Sequence, residues 1–255
     1  MTQVAPQIQT KNHTGVYHPP LAALRSHSLF ADMSDEIFSD FSHAAQELSR
    51  SKGAILFMQD DPAEWFYFIV SGWVKLFRET LEGDEAVIDV MTSGHIFGET
   101  AILDGGIHTM GASAVERTVL IRLPASLLKS AITKSHDVAL GMLASISRHR
   151  RQQTQEIENL NMQNAPQRIG CFLLRLCRTN DIEAETTNFN LPYDKSLIAA
   201  RLGMQCETFS RALNKLRKQT NIDVKGAAVT IPDVADLSEY VCGRCSNEYP
   251  CSDLH

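Results

Sequence analysis

The sequence predicts an α+β chain with an N-terminal β-roll, a long dimerisation helix and a C-terminal winged helix-turn-helix. Three observations predict it. Between Ala54 and Leu123, aromatic and β-branched runs are split by turn signals, the texture of antiparallel strands. From about Ser135 to Asn164, apolar residues recur at spacings of three and four, the period of a helix with a seam. From Lys195 onward, two short amphipathic helices flank Gly203 and are followed by a β-prone hairpin.

In the first region, AEWFYFIVSGWVKLFRETLEGDEAVIDVM carries turn signals at Ser71-Gly72 and at Glu82-Gly83-Asp84, as strands of a roll or barrel do. Near Ala125 the strands give way to helices, first SLLKSAI and then the long stretch. Its apolar residues are Ala139, Met142, Leu143, Ile146, Ile157 and Leu160, interrupted by Arg148, His149, Arg150 and Arg151. A seam of this kind would be exposed in a monomer, so the helix is expected to join two copies in a homodimer. Pro166 marks the step into the last domain. The expected division is a flexible tail over 1–20, a β-roll sensory domain over 21–134, the dimerisation helix over 135–165, a winged helix over 166–240 and a cysteine-rich tail over 241–255.

The helix-turn-helix reading rests on Leu197, Ile198 and Leu202 before Gly203 and on Phe209, Leu213 and Leu216 after it. A glycine able to take positive φ lets two helices cross steeply and bury both stripes in one small core. Glu207, Ser210 and Arg211 fall off the stripe near the start of the second helix, where residues of a recognition helix reach base edges. A guanidinium donates two parallel hydrogen bonds to guanine O6 and N7, a carboxylate accepts from cytosine N4, and a serine hydroxyl serves a base edge or a phosphate. Gln205, Thr208 and Lys215 on the same helix are further candidate contacts. The run Ile222–Ile231, turning at Lys225-Gly226, reads as the hairpin of a wing, with Lys225 at its tip. From Tyr193 to Gly226, seven basic side chains stand against Asp194, Glu207 and Asp223, a local charge of +4 inside a protein of net charge −6. The expected partner is double-stranded DNA, attracted through its phosphates. The plainer alternative is a helical hairpin with a solvated charged face.

At 255 residues and 44% hydrophobic content, the chain is long enough for two domains with separate cores. It contains no Ser/His/Asp set, P-loop or HExxH motif, so no enzyme is expected. The first twenty residues are polar, with Pro6, Pro19 and Pro20, and read as neither signal peptide nor membrane anchor. A cytoplasmic location is therefore expected, and the six cysteines read as thiols or metal ligands. Cys242, Cys245 and Cys251 form C-x2-C-x5-C, and His255 follows. Such a set suits a Cys3His zinc site or an iron–sulfur cluster, the alternative being redox-labile thiols without a metal. Cys171 and Cys177 lie near a leucine stripe and read as core residues, with either also a candidate fourth ligand.

The order of parts, together with ETFSRALNKL, resembles the Crp/Fnr family of bacterial transcription regulators over roughly residues 21 to 240. FYFIVSGWVKLFRETLEGDE looks like the family's second and third hairpin strands, HIFGETAIL like its effector cassette, and QEIENLNMQNAPQRIGCFLL like its hinge. The resemblance implies a cyclic-nucleotide-binding-like roll, a TTGAT-like palindromic target and RNA polymerase as a further partner. The arrangement at Glu207, Ser210 and Arg211 is like that of the Fnr and Dnr branches. It departs from the Crp branch, which has an arginine where this chain has Cys206. Overall the chain looks most like Dnr, the nitric-oxide-responsive branch, and this implies haem, with His27 in HSLF as the candidate axial ligand. A histidine at a helix start is also an ordinary surface residue.

Gly98 and Glu99 match the start of the family's phosphate-binding cassette, but His108, Thr109 and Met110 stand where a cyclic-nucleotide binder presents an arginine and a small hydroxyl residue. Without a bidentate donor a phosphodiester has little reason to bind, so cyclic nucleotide is not expected. Some Fnr-like regulators carry a cluster on C-terminal cysteines. This chain lacks the N-terminal cysteines of Fnr itself. The implied signal is redox or gaseous, nitric oxide or oxygen. The other reading is a ligand-binding or partner-binding β-roll protein without sequence-specific DNA binding.

Overall fold

The computed structural model describes residues 19–79, 82–83, 85–177, 187–243 and 245. It begins with α1 (Pro19–Ser26) and α2 (Asp35–Ala44), then β1 (Gln46–Arg50), β2 (Ile55–Phe57), β3 (Trp65–Ser71), β4 (Trp73–Glu79), β5 (Glu85–Thr92) and β6 (Ile96–Phe97). There follow α3 (Glu99–Leu103), β7 (Gly111–Ala114), β8 (Thr118–Pro124), α4 (Ala125–Lys134), α5 (His136–Met162) and α6 (Ala165–Cys177). The chain ends in β9 (Thr187–Asn190), α7 (Lys195–Arg201), α8 (Cys206–Thr220), β10 (Asp223–Lys225), β11 (Ala228–Ile231) and α9 (Val234–Cys242). It divides into two units between Ser147 and Arg148, inside α5. No described helix is long and apolar enough to cross a membrane.

In the first unit, two antiparallel sheets of order β1-β8-β3-β6 and β2-β7-β4-β5 form the roll. Strand β3 is apolar on both faces because both are buried: Phe66 and Phe68 join the core beneath the helices, while Tyr67 and Ile69 point between the sheets. The helix-side core is led by Phe30, Phe38 and Phe41, with Leu21 and Leu24 from α1 and Leu128 from α4. Ser34 starts α2 by accepting from the backbone N–H of Ile37.

The turn signal at Ser71-Gly72 falls between β3 and β4, which lie in different sheets: β3 pairs with β8 and β6 whereas β4 pairs with β5 and β7. The turn carries the chain from one sheet to the other. Gly72 has φ +89°, and a Cβ there would lie 2.8 Å from the Arg117 carbonyl oxygen, so the corner excludes any side chain. Met142 does not belong to an exposed seam. It is buried with Val138, one turn earlier, against the helix-side core, which leaves Leu140, Leu143 and Ile146 on the exposed part of α5.

In the second unit, α6, α8 and α9 bury Ile169, Leu173, Leu174, Phe209, Leu213, Leu216, Leu237 and Val241 in one core with α7 and the sheet β10-β11-β9. Helix α9 lies close on α6 because position 170 is glycine: a Cβ there would be 2.4 Å from Val241 Cγ2.

Candidate nucleic-acid interface and effector pocket

The turn between α7 and α8 is built locally. Asp194 caps α7, its carboxylate accepting from the Leu197 N–H at 2.9 Å and from the Ser196 hydroxyl at 2.6 Å. Gly203 takes φ +63°, and the Met204 N–H donates to the Ala199 carbonyl at 2.9 Å, closing the turn. Buried Ile198, Phe209 and Leu213 hold the two helices together, so the opposite face of α8 is fixed outward.

That face carries Glu207, Thr208, Ser210, Arg211 and Lys215, all exposed, with exposed Gln205 at the N-cap. Arg211 and Glu207, one turn apart, form an exposed ion pair at 3.5 Å. Such a pair is worth little in water, so either group can exchange it for a base edge at small cost. The Ser210 hydroxyl donates to the Cys206 carbonyl at 2.9 Å. Strands β10 and β11 form the wing, turning at Gly226 with φ +61°. Lys225 is exposed and lies 2.9 Å from Asp223, which also accepts from Arg217 at 2.7 Å. The hydrogen bond from Lys225 leads in holding the Asp223 carboxyl below its ordinary range. A third strand, β9, pairs with β11. No sequence signal marked it.

Two contacts that sequence reasoning missed support the turn. Glu156 on α5 is paired with Arg201 at the end of α7 and with Arg175 on α6, the latter at 3.7 Å. Leu160 Cδ2 lies 3.7 Å from where a Cβ on Gly203 would stand. The helical period of α5 marked Leu160 only as apolar, and a lone glutamate carries no sign of its distant partners.

In the roll, Gly98 has φ +85° and Glu99 opens α3. Part of Glu99 reaches solvent, yet its carboxyl sits in a dense surround, and burial pushes its pKa up to about 7 against the hydrogen bond from its own N–H. His108 is only 4% exposed and stacks on Phe57, the ring centroids 3.6 Å apart and the planes within 7°. Its Cε1 lies 3.4 Å from where a Cβ on Gly98 would be. Burial lowers its pKa, with Asp61 pulling the other way, so the imidazole is disfavoured as a cation. The structure thus brings Gly98 and His108 together and fills the place with an aromatic stack rather than a guanidinium. Thr109 is exposed, its carbonyl accepting from Arg78 Nε at 3.0 Å, and Met110 packs against the inter-sheet core.

A carboxyl whose native pKa is raised contributes stability that is fully present below its unfolded value and lost as pH rises through the native one. Glu99 therefore predicts a fall in stability between pH 4.5 and 7. Glu99→Gln should flatten that fall in urea midpoints measured across the interval, and an unchanged pH profile would show that Glu99 ionises as readily in the fold as outside it.

His27 lies where α1 ends. Its Nδ1 accepts from the Leu29 N–H at 3.1 Å, and the ring meets Phe30 and Phe68 edge-on. Coordination of an iron would have to use Nε2. Cys242 ends α9, and the Cys245 N–H donates to its carbonyl at 3.0 Å. Cys251 and His255 lie outside the described residues, and among the described residues no three His, Cys, Asp or Glu side chains are grouped to hold a metal. Cys177 is buried, and burial pushes its thiol up to about 11.

Residues 47–135 match the cyclic nucleotide-binding domain and residues 167–240 the Crp-like helix-turn-helix domain. The chain is 30% identical over 192 residues to the cyclic AMP receptor protein of Thermus thermophilus, covering 75% of this chain and 86% of that protein. It is 29% identical over 189 residues to the fumarate and nitrate reduction regulatory protein of Vibrio cholerae, covering 74% and 75%. Among solved structures it is similar to FixK2 of Bradyrhizobium japonicum, with TM-score 0.67, 26% identity, and coverage of 76% of this chain and 96% of that one.

Proposed function

The chain belongs to the Crp/Fnr family of transcription regulators, and from that membership we propose that two copies read a TTGAT-like palindrome through α8 in response to a redox or gaseous signal. It carries a DNA-binding helix-turn-helix, and its homologues are regulators, not enzymes. The observation that carries the reading of individual contacts is the exposed face of α8, where Glu207 and Arg211 stand 78% exposed or more, one turn apart and free of the core. In the proposal Arg211 grips guanine O6 and N7, Glu207 accepts from cytosine N4, and Lys215 and Lys225 meet phosphates, with Gln205, Thr208 and Ser210 beside them. Half-sites about 34 Å apart must be engaged together, so a small change in the angle between recognition helices alters affinity strongly.

Arg211→Ala is expected to weaken operator binding by about 1–3 kcal/mol and to relax selectivity at one base pair. Titration against operators permuted at each position checks this. Equal loss on every sequence would make Arg211 a phosphate contact.

For the signal, the stack of His108 on Phe57 speaks against cyclic nucleotide. Haem on His27 would have to displace the packing of that ring on Phe30 and Phe68. The sulfur chemistry of Cys242 and Cys245 fits zinc or an iron–sulfur cluster more readily, with Cys251 and His255 completing the set. An absorbance spectrum of protein purified without oxygen separates these: a Soret band marks haem, a broad visible band lost in Cys245→Ser marks a cluster, and a colourless protein with stoichiometric zinc marks a structural site. RNA polymerase is the further partner in this reading.

A further inference from the structure

One carboxylate joins the wing to the recognition helix. Helix α8 ends at Asn221, which takes φ 52°, and β10 begins two residues later. Along β10, Val224 enters the core, so Asp223 and Lys225 share the outer face. The two oxygens of Asp223 are divided between cations from different elements. Oδ1 accepts from Arg217 Nη2, in the last turn of α8, at 2.7 Å, and Oδ2 lies 2.9 Å from Nζ of Lys225 at the turn of the wing. Thr230, opposite Asp223 on β11, donates its hydroxyl to Asn188 Oδ1 at 2.8 Å instead. The carboxylate is thus left to Arg217 and Lys225, and the triad keeps a net positive charge. A single exposed ion pair orders little, whereas charges joined in a network hold one another's geometry.

We propose that Asp223 is a positioning residue for DNA recognition, tying Lys225 of the wing to Arg217 of the recognition helix so that the chain prefers its operator over other sequences. The inference rests on the reading of α8 as the recognition helix and of Lys225 as a phosphate contact. Binding to arbitrary DNA is almost wholly electrostatic and grows with each cation free to find a phosphate. Lys225 is 83% exposed on a flexible stem, and a loose lysine there would reach phosphates whatever the register of α8 on the duplex. Held by Asp223, it stands at a fixed offset from Arg217, and therefore from Arg211 on the same helix. It then meets its phosphate only when the base contacts of α8 are also made. Its ammonium has further N–H donors to offer that phosphate while Asp223 holds one. The same carboxylate takes one positive charge out of the count that drives binding to any sequence.

The test is titration of the full-length protein against a palindromic duplex of two TTGAT half-sites and against a duplex with both half-sites scrambled, over a range of potassium chloride concentrations. Two variants break the tie from opposite ends with opposite changes of charge: Asp223→Asn removes a negative charge and Arg217→Gln a positive one. On the scrambled duplex, Asp223→Asn is expected to bind more tightly than wild type, with a steeper salt dependence, and Arg217→Gln less tightly. The ratio of operator to scrambled affinity is expected to fall in both, by about fivefold, the upper worth of one exposed ion pair. A charge effect alone moves the two duplexes together, so an unchanged ratio in both variants overturns the inference and leaves the DNA reading intact. A fall in one variant alone also overturns it, because the effect then belongs to that side chain and not to the link. Wild-type protein that binds both duplexes equally overturns the DNA reading and the inference with it. Lys225→Ala, at an exposed position, should lower the ratio as well, and adding Asp223→Asn to it should lower the ratio no further. A further fall would show that Asp223 acts other than through Lys225.

Discussion

Leu143→Asp is expected to dissociate the proposed dimer and to lower affinity for a palindromic operator by about 10²–10⁴-fold, with far less effect on a single half-site. Leu143 is 59% exposed on α5, and Leu140, Ile146, Ile157 and Leu160 on the same helix are also exposed. Isolated exposed leucines are ordinary, but a set recurring along one helix is the surface that a second copy would cover in the proposed dimer. An aspartate there would carry an unpaired charge into an apolar seam, which costs several times what the lost methyl groups contribute. Without the seam, the two recognition helices bind independently, and the advantage of linked half-sites disappears. Sedimentation of the variant with parallel titrations of a full operator and a half operator checks the prediction. A dimer with undiminished operator affinity would move the seam elsewhere.

Phe30→Ala is expected to destabilise the N-terminal unit by about 3–5 kcal/mol. Phe30 is fully buried, edge-on to Phe41 at 5.3 Å and Phe38 at 6.0 Å, and parallel to Phe66 at 6.5 Å. Its removal leaves a cavity bounded by rings from α2 and β3, which cannot collapse without moving a sheet. Geometry-dependent ring contacts are lost as well as buried area. Urea unfolding followed by near-ultraviolet circular dichroism reports this unit. A loss below about 1 kcal/mol would mean that the helices repack over the gap.

Both predictions draw on features that differ in how far the sequence announces them. The two helices around Gly203 were legible because Leu197, Ile198, Phe209, Leu213 and Leu216 recur at the helical period, and the hairpin at Lys225-Gly226 because its turn residues are local. The outward position of Glu207 and Arg211 followed from the same period. Met142 was misread because period alone tells which residues share a face of α5, not which face the rest of the molecule covers. The turn at Ser71-Gly72 was legible because its residues are local, but which strand β3 then pairs with, β8, is a non-local choice. For the same reason β9 went unnoticed: four residues gain their strand conformation by adding to β11.

By itself the sequence determined the strand and helix character of the main segments, the order of the two domains, the local excess of positive charge and the outward face of α8, since these depend on neighbours within a turn or two of chain. Tertiary structure alone decided that His108 turns inward onto Phe57 and that Glu156 joins Arg175 and Arg201. Each of these depends on elements far apart in the chain being pressed together by burial of apolar surface, and that force is non-directional. The polar groups it carries inward then take whatever partners the packing supplies.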